Sequence, residues 1–244
     1  MPPSVPSPAE PNSGSNSGPN STPESGQSPE QIQQLLHSEN FGDRIKGINF
    51  LRTLEPDIAF KLITPLCSDN NTRVRYAAVS QVSTLGEQDK AAALDLLKNA
   101  LGDDEPDVQA AAADSLGALK LTESLPDLQT LYENTPEWLV KMSVVACLGE
   151  MGDRNAFDLL ASALSADNSL VVVSAIGALG ELGDERALPL LLPYAKNDDW
   201  QVRHRVAQAL GHFRQHEEAA QTLTLLVADE SELVADTAQR VMDS

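Results

Sequence analysis

The chain has 244 residues, 36 of them acidic and 17 basic, and its formal net charge of -19 excludes a nucleic-acid binder, because phosphate recognition needs a basic field. No apolar run approaches the roughly 18 to 20 residues that cross a bilayer, and the first residues lack the cationic and apolar regions of a secretory signal. Cys67 and Cys147, the only two cysteines, stand far apart in apolar helical patterns, which points to buried thiols in a reducing, cytoplasmic compartment rather than to a disulfide framework.

Residues 1–27 hold seven Pro and seven Ser, no Lys or Arg, and Val5 as the single branched aliphatic side chain. Such a segment cannot offset the entropy of ordering, so a disordered tail is expected. Order is expected from Ser28-Pro29-Glu30-Gln31, where an N-cap serine, a proline at the first helical position and a glutamine three residues after the cap form a helix-start signal. Residues 28–244 then read as one repeat domain.

A unit of 31 to 34 residues recurs along that domain. Val74, Val108, Val140, Val171, Val202 and Val234 mark its register. Eight residues after each marker comes Val82, Leu116, Leu148, Leu179, Leu210 or Met242, and nine after comes Gly117, Gly149, Gly180 or Gly211 in four copies. Units this short bury their apolar faces only against neighbours, so the fold expected is an all-α solenoid of about six helical hairpins, helix A then helix B, with B opening near each marker. The first B helix, near residues 41–54, has no marker valine and is expected to be an out-of-register capping repeat. Pro65 and Pro193 each precede a marker by nine residues and should shorten an A helix. The glycines nine residues after the markers should admit a neighbouring helix at close range. Gly152 and Gly183 should end helices in the left-handed conformation, and Asp153 and Asp184 should each cap the next A helix.

The stretch Trp138 to Leu188, the segment Asp199 to Gly211 and the pattern Leu-Gly-Glu-Leu-Gly-Asp-x-Arg-Ala at Leu179 to Ala187 resemble the short HEAT-like repeats of the phycobilisome lyase family. Phe41 to Ile45 and Asn71 to Ser80 look like the phycobilisome-degradation, non-bleaching B type members more than the E and F type bilin lyase subunits. The resemblance covers residues 40–243. It implies a HEAT-like solenoid that acts as an interaction scaffold on phycobiliprotein subunits or their bilin chromophores. It implies no resident cofactor, and at most transient contact with phycocyanobilin. Two alternatives stay open: an adaptor for an iron-sulfur assembly protein, which the same repeat also serves, and a bilin lyase subunit.

No nucleophile with an adjacent base, paired carboxylate motif or phosphate loop is visible, so no catalytic or metal-ligating residue is assigned and any enzyme activity is left uncertain. The resemblance implies that the B helices line the concave side, and the candidate residues are sought there. One residue after the markers stand Arg75, Lys141 and Arg203; two after stand Tyr76, Met142 and His204; Arg73 and Arg205 flank the same ridge. Trp138 and Trp200 each lie two residues before a marker. These ten residues are expected to form a locally basic, partly apolar groove. Its guanidinium and ammonium groups would take the propionates of an open-chain tetrapyrrole, and its aromatic faces would take the rings.

Overall fold

The structure is a computed structural model that describes residues 27–244; the expected disorder over residues 1–27 falls almost wholly outside the described residues. Those residues form fourteen α-helices and, among them, no strand: α1 (Pro29–Leu36), α2 (Phe41–Phe50), α3 (Pro56–Ile63), α4 (Thr72–Leu85), α5 (Lys90–Ala100), α6 (Pro106–Ala118), α7 (Leu125–Asn134), α8 (Trp138–Met151), α9 (Phe157–Ala163), α10 (Ser169–Leu182), α11 (Leu188–Leu191), α12 (Trp200–Leu210), α13 (Glu217–Leu226) and α14 (Glu232–Asp243). Odd-numbered helices are A and even-numbered ones B. Each A packs on its own B, and each B packs directly on the B helices before and after it.

Local chemistry fixes where the helices begin and end. The Ser28 side chain accepts from the Gln31 N–H while the Gln31 side chain accepts from the Ser28 N–H, so the expected capping box is formed. B helices open from a recurrent turn in which the side chain five residues before the marker accepts from the N–H two residues on: Asp69 from Asn71, Asp103 from Glu105, Thr135 from Glu137, Asn197 from Asp199, Asp229 from Ser231. Such Asx and Ser/Thr turns break the helix ahead of its cap. Gly152 and Gly183 adopt φ of 69° and 60° at the ends of α8 and α10, a conformation that disfavours any side chain with a Cβ. Asp153 and Asp184 then accept from the N–H groups of Asn155 and Arg186. Pro65 and Pro193 lie in 3-10 segments that follow shortened α3 and α11.

The six marker valines are buried, as are the residues eight positions on except Met242 in the last repeat. The first repeat corrects the expectation of a poor register. Asp43, 31 residues before Val74, occupies the marker site, and Gly47, Ile48 and Leu51 at the next core offsets are all buried. The marker is hidden because a carboxylate replaces valine there, held by Ser38 at 3.3 Å and Lys46 at 3.2 Å. The array is therefore a pair in register ahead of six marked pairs.

Consecutive B helices approach at their glycines. A Cβ on Gly149 would lie 2.7 Å from the Cα of Ala178, one on Gly180 would lie 2.8 Å from the Cα of Ala209, and one on Gly117 would lie 3.0 Å from the Cα of Cys147. Glycine inside a helix costs about 1 kcal/mol against alanine. Forcing a methyl group against a neighbouring backbone costs about 1 to 3 kcal/mol, so glycine is the better residue here. Both cysteines are buried, as expected, and burial pushes the Cys67 thiol up to about 12 and the Cys147 thiol higher still.

Candidate functional site

A helix turns about 100° per residue, so offsets 0, 4, 5 and 8 from the marker cover an arc from about 0° to 140°. Offset 1, at about 100°, falls inside that arc. Offsets -2, 2, 6, -1 and 3, at about 160°, 200°, 240°, 260° and 300°, fall outside it and form the open face of the B helices.

This geometry corrects the expected basic row. Arg75 and Arg203 do not face the open side; they turn into the A–B loops and join one repeat to the next. The Arg75 guanidinium meets Asp103 at 2.7 and 2.9 Å and donates to the Asp69 carbonyl at 3.0 Å. Arg203, 7% exposed, meets Asp229 at 2.7 and 2.9 Å and donates to the Asn197 carbonyl at 2.8 Å. Arg44 does the same in the first repeat, with Asp69 at 2.8 Å and the Ser38 carbonyl at 2.8 Å. Each clamp spans its own loop and the acid of the following one. Burial raises the Asp103 pKa, but the Arg75 hydrogen bonds and the Glu105 N–H outweigh it and the net shift is downward. Asp229 is lowered chiefly by its hydrogen bond to Arg203. Lys141, at the same offset without an acid opposite, lies over the Tyr132 ring at 5.3 Å.

The open face carries the candidate site. A groove of about 480 Å³ runs across α8, α10, α12 and α14, and four expected residues meet in it: Met142, Trp200, His204 and Arg205. Val173, Leu170, Leu233 and Ala146 add to its apolar lining, with Gln201, Gln208 and Ser174 as further polar groups. Leu170 and Leu233 were not foreseen as site residues. Their signal was an apolar residue at offset -1, outside the core arc.

Trp200 sits edge-on to His204, ring centroids 6.4 Å apart. Arg205 reaches back over α10: it lies 3.6 Å from Glu181, donates to Gln208 at 3.1 Å, and occupies the space a Cβ on Gly177 would need. Desolvation first, then the charges of Arg205 and Arg240, lowers the His204 pKa, so its imidazole is neutral at pH 7. The groove thus presents an indole face, aliphatic walls, a neutral imidazole and one guanidinium.

The remaining expected residues lie elsewhere on the array. Arg73 and Tyr76 line a smaller cavity of about 250 Å³ with Thr72 and Asp107, and Arg73 stands over the Phe41 ring at 5.9 Å. Trp138 is exposed at the start of α8, two repeats before Trp200. Among the described residues no three His, Cys, Asp or Glu side chains converge as metal ligands, and no helix is long and apolar enough to cross a membrane.

Stacked helix pairs with a groove across their B helices define a HEAT-type α-solenoid. The HEAT-repeat family model matches residues 94–175 and 159–243, more than half of the sequence, and the chain belongs to that family. No curated protein matches it by sequence. Among solved structures it is similar to the complex of CpcE and CpcF of phycocyanin lyase from Nostoc sp. PCC7120, at 21% identity and a TM-score of 0.60 over 97% of this chain and 99% of that one. It is also similar to Escherichia coli YibA, at 17% identity and a TM-score of 0.65 over 88% of this chain and 80% of that one. The archaeal HEAT-like repeats protein from Thermococcus onnurineus NA1 aligns at 14% identity and a TM-score of 0.57, over 88% and 95% of the two chains. At these identities the likeness is one of fold.

Proposed function

We propose that this HEAT-repeat array is a cytoplasmic binding scaffold for a phycobiliprotein subunit and contacts its bilin transiently across the groove of α8, α10, α12 and α14. The observation that carries the reading is the groove itself, an open apolar surface with Trp200 and a single guanidinium, Arg205, inside it. A bilin held on a protein surface offers a flat apolar body, which the indole and the aliphatic walls complement, and a propionate, which Arg205 would meet in exchange for Glu181. The fold shared with the CpcE–CpcF complex of phycocyanin lyase supports the same choice of partner. The reading is of a holder of the pigment protein and not of a covalent bilin carrier, because Cys67 and Cys147 are buried with raised thiol pKa values. Neither is placed to carry a bilin covalently, and a thioether bond, if one is made, would use a cysteine of the pigment protein.

The test is co-elution of the purified protein with phycocyanin, followed by the visible absorbance of the bilin. Co-elution with a shifted or weakened band is expected, and Trp200→Ala with Arg205→Glu should weaken it by about tenfold or more, as loss of a central aromatic and arginine anchor does. Unchanged elution and an unchanged spectrum would reject the reading.

A further inference from the structure

We infer that the groove of α8, α10, α12 and α14 takes residues 2–11 of this same chain, laid across the B helices in the polyproline II conformation, so that the chain covers its own binding surface. The inference uses the groove and not the choice of partner.

The first observation is a sequence pattern in a segment outside the described residues. Residues 2–11 read Pro2-Pro3-Ser4-Val5-Pro6-Ser7-Pro8-Ala9-Glu10-Pro11, with two apolar residues and one polar residue recurring three times. Polyproline II turns once in three residues. The period therefore places Ser4, Ser7 and Glu10 on one ridge and the apolar residues on the other two. Five prolines in these ten residues exclude an α-helix and a paired strand. Proline also fixes φ in advance, so a segment that builds no core of its own loses little entropy on docking.

The second observation is a match of dimensions. One turn of polyproline II advances about 9.3 Å, and packed helices lie about 8 to 10 Å apart, so successive turns meet successive B helices. Pro2 to Pro11 spans about 28 Å, and the three helix steps from α8 to α14 span about 24 to 30 Å. Met142, Val173 and His204 stand at offset 2 on α8, α10 and α12, one angle on three successive helices, and the exposed Trp200 lines the groove with them. Aromatic-lined grooves of this kind receive proline-rich segments. A polyproline II backbone makes no hydrogen bonds of its own, so its carbonyls are open to donors. Gln208 accepts from Arg205 at 3.1 Å, which leaves its NH2 group to donate.

The third observation is reach. Residues 12–27, between the segment and the capping box at Ser28, are mainly Ser, Gly and Asn, the composition of a flexible linker. Such a linker has a root-mean-square span of about 20 to 24 Å and an extended length of about 55 Å. The path from α1 to the open face at α8 crosses three B-helix steps and one helix layer, about 35 to 40 Å. Pro11 comes within reach, and tethering supplies an effective concentration of about 1 mM, so a weak contact suffices.

The experiment uses the full chain with Ser7→Cys carrying a nitroxide. Cys67 and Cys147 are buried and do not compete for the label, and Ser7 belongs to the polar ridge, so the label points away from the groove. In nitrogen–proton NMR spectra, the Trp200 indole and the open-face amides of α10 and α12 should lose most of their intensity, while α3 and α5 keep theirs. Val5→Asp with Pro8→Asp, on an apolar ridge, should restore the signals; Ser4→Asp, on the polar ridge, should not. Undiminished groove signals, or equal effects of the two substitutions, would overturn the inference. A mixture of isotope-labelled chain without nitroxide and unlabelled chain with it tests the source of the segment. Signal loss in that mixture as large as within one chain would also overturn the inference, since a second copy would then supply the occupant. No pigment protein enters these spectra, so the two proposals fail separately. Signal loss without phycocyanin co-elution rejects only the choice of partner, and co-elution without signal loss rejects only the docked segment.

Discussion

The junctions toward the two ends of the array and those in its middle are joined by different chemistry. Toward the ends, an arginine of one repeat, half-buried at Arg44 and Arg75 and buried at Arg203, grips a carboxylate of the next: Arg44 with Asp69, Arg75 with Asp103, Arg203 with Asp229. In the middle the arginine is replaced by Gln109, Lys141 and Val172, and backbones close on one another at Gly117, Gly149 and Gly180. Between α6 and α12 successive B helices meet chiefly by contact. The first and last repeats have one neighbour each and so fewer apolar contacts to fix their register; Arg44 ties the first on through a single contact to Asp69, and Arg203 holds the last through a bidentate pair with Asp229 that adds geometric specificity. The groove lies where the two regimes meet, with α8 and α10 joined by glycine and α12 and α14 joined by a clamp.

The largest expected effect comes from removing one partner of a clamp. Asp229→Ala leaves the buried Arg203 with only the exposed Glu230 carboxylate at 3.3 Å and should cost about 3 kcal/mol. The loss should be confined to α13 and α14, seen as faster amide exchange there while α4 to α10 keep their protection. Uniform loss of protection would show that the ends are no more separable than the middle. Gly149→Ala comes next. It pushes a methyl group against Ala178 and should cost about 2 kcal/mol, and denaturant unfolding should then split into two transitions because the array is divided at its centre. A single sharp transition of unchanged midpoint would mean that the close approach has no energetic weight.

Acid should separate the regions with opposite signs. Asp103 and Asp229 have lowered pKa values in the folded protein, so their contribution is complete above the ordinary aspartate value of about 3.9 and is lost as pH falls below it toward the folded values. Asp114 is raised, by burial first and against a lowering contact with Ser143. Its ionisation opposes folding, and that strain is relieved as pH falls through the raised value toward the ordinary one. Amide exchange followed from pH 7 to pH 3 should therefore show α13 and α14 loosening before α8, while α6, which carries Asp114 and follows the turn held by Asp103, takes the two effects with opposite signs. Simultaneous loosening would remove the distinction. The smallest effect concerns His204. Arg205→Gln should move its imidazole pKa upward, since one of the two cations that depress it is gone; proton NMR titration of the ring reads this directly, and no movement would place Arg205 too far away to matter.

Much of the fold was legible because burial writes a period into the chain. The marker valines, the glycines nine residues on, the left-handed Gly152 and Gly183 and the prolines that shorten α3 and α11 all follow from steric rules acting within about one repeat. The site was legible in part. Trp200, His204, Met142 and Arg205 meet as expected, whereas Arg75 and Arg203 were assigned to the wrong face. Charge suggested solvent, while an angle of about 100° from the marker places them inside the core arc. Their acids lie 26 to 28 residues further on, a distance at which only the return of the next repeat creates the contact. Asp43 was hidden for the converse reason, since a carboxylate in a valine's place breaks the pattern and not the packing.

By itself, then, the sequence determined that the chain forms stacked helix pairs, where each pair starts and stops, and which side chains lie inwards, because these depend on backbone sterics and on a repeating apolar face. Only the tertiary structure decided which charges join repeats and which remain on the open face. It also brought Leu170, Trp200 and Leu233 into one groove. Both outcomes depend on side chains from different repeats meeting across a junction, and no local pattern along the chain encodes the distance between them.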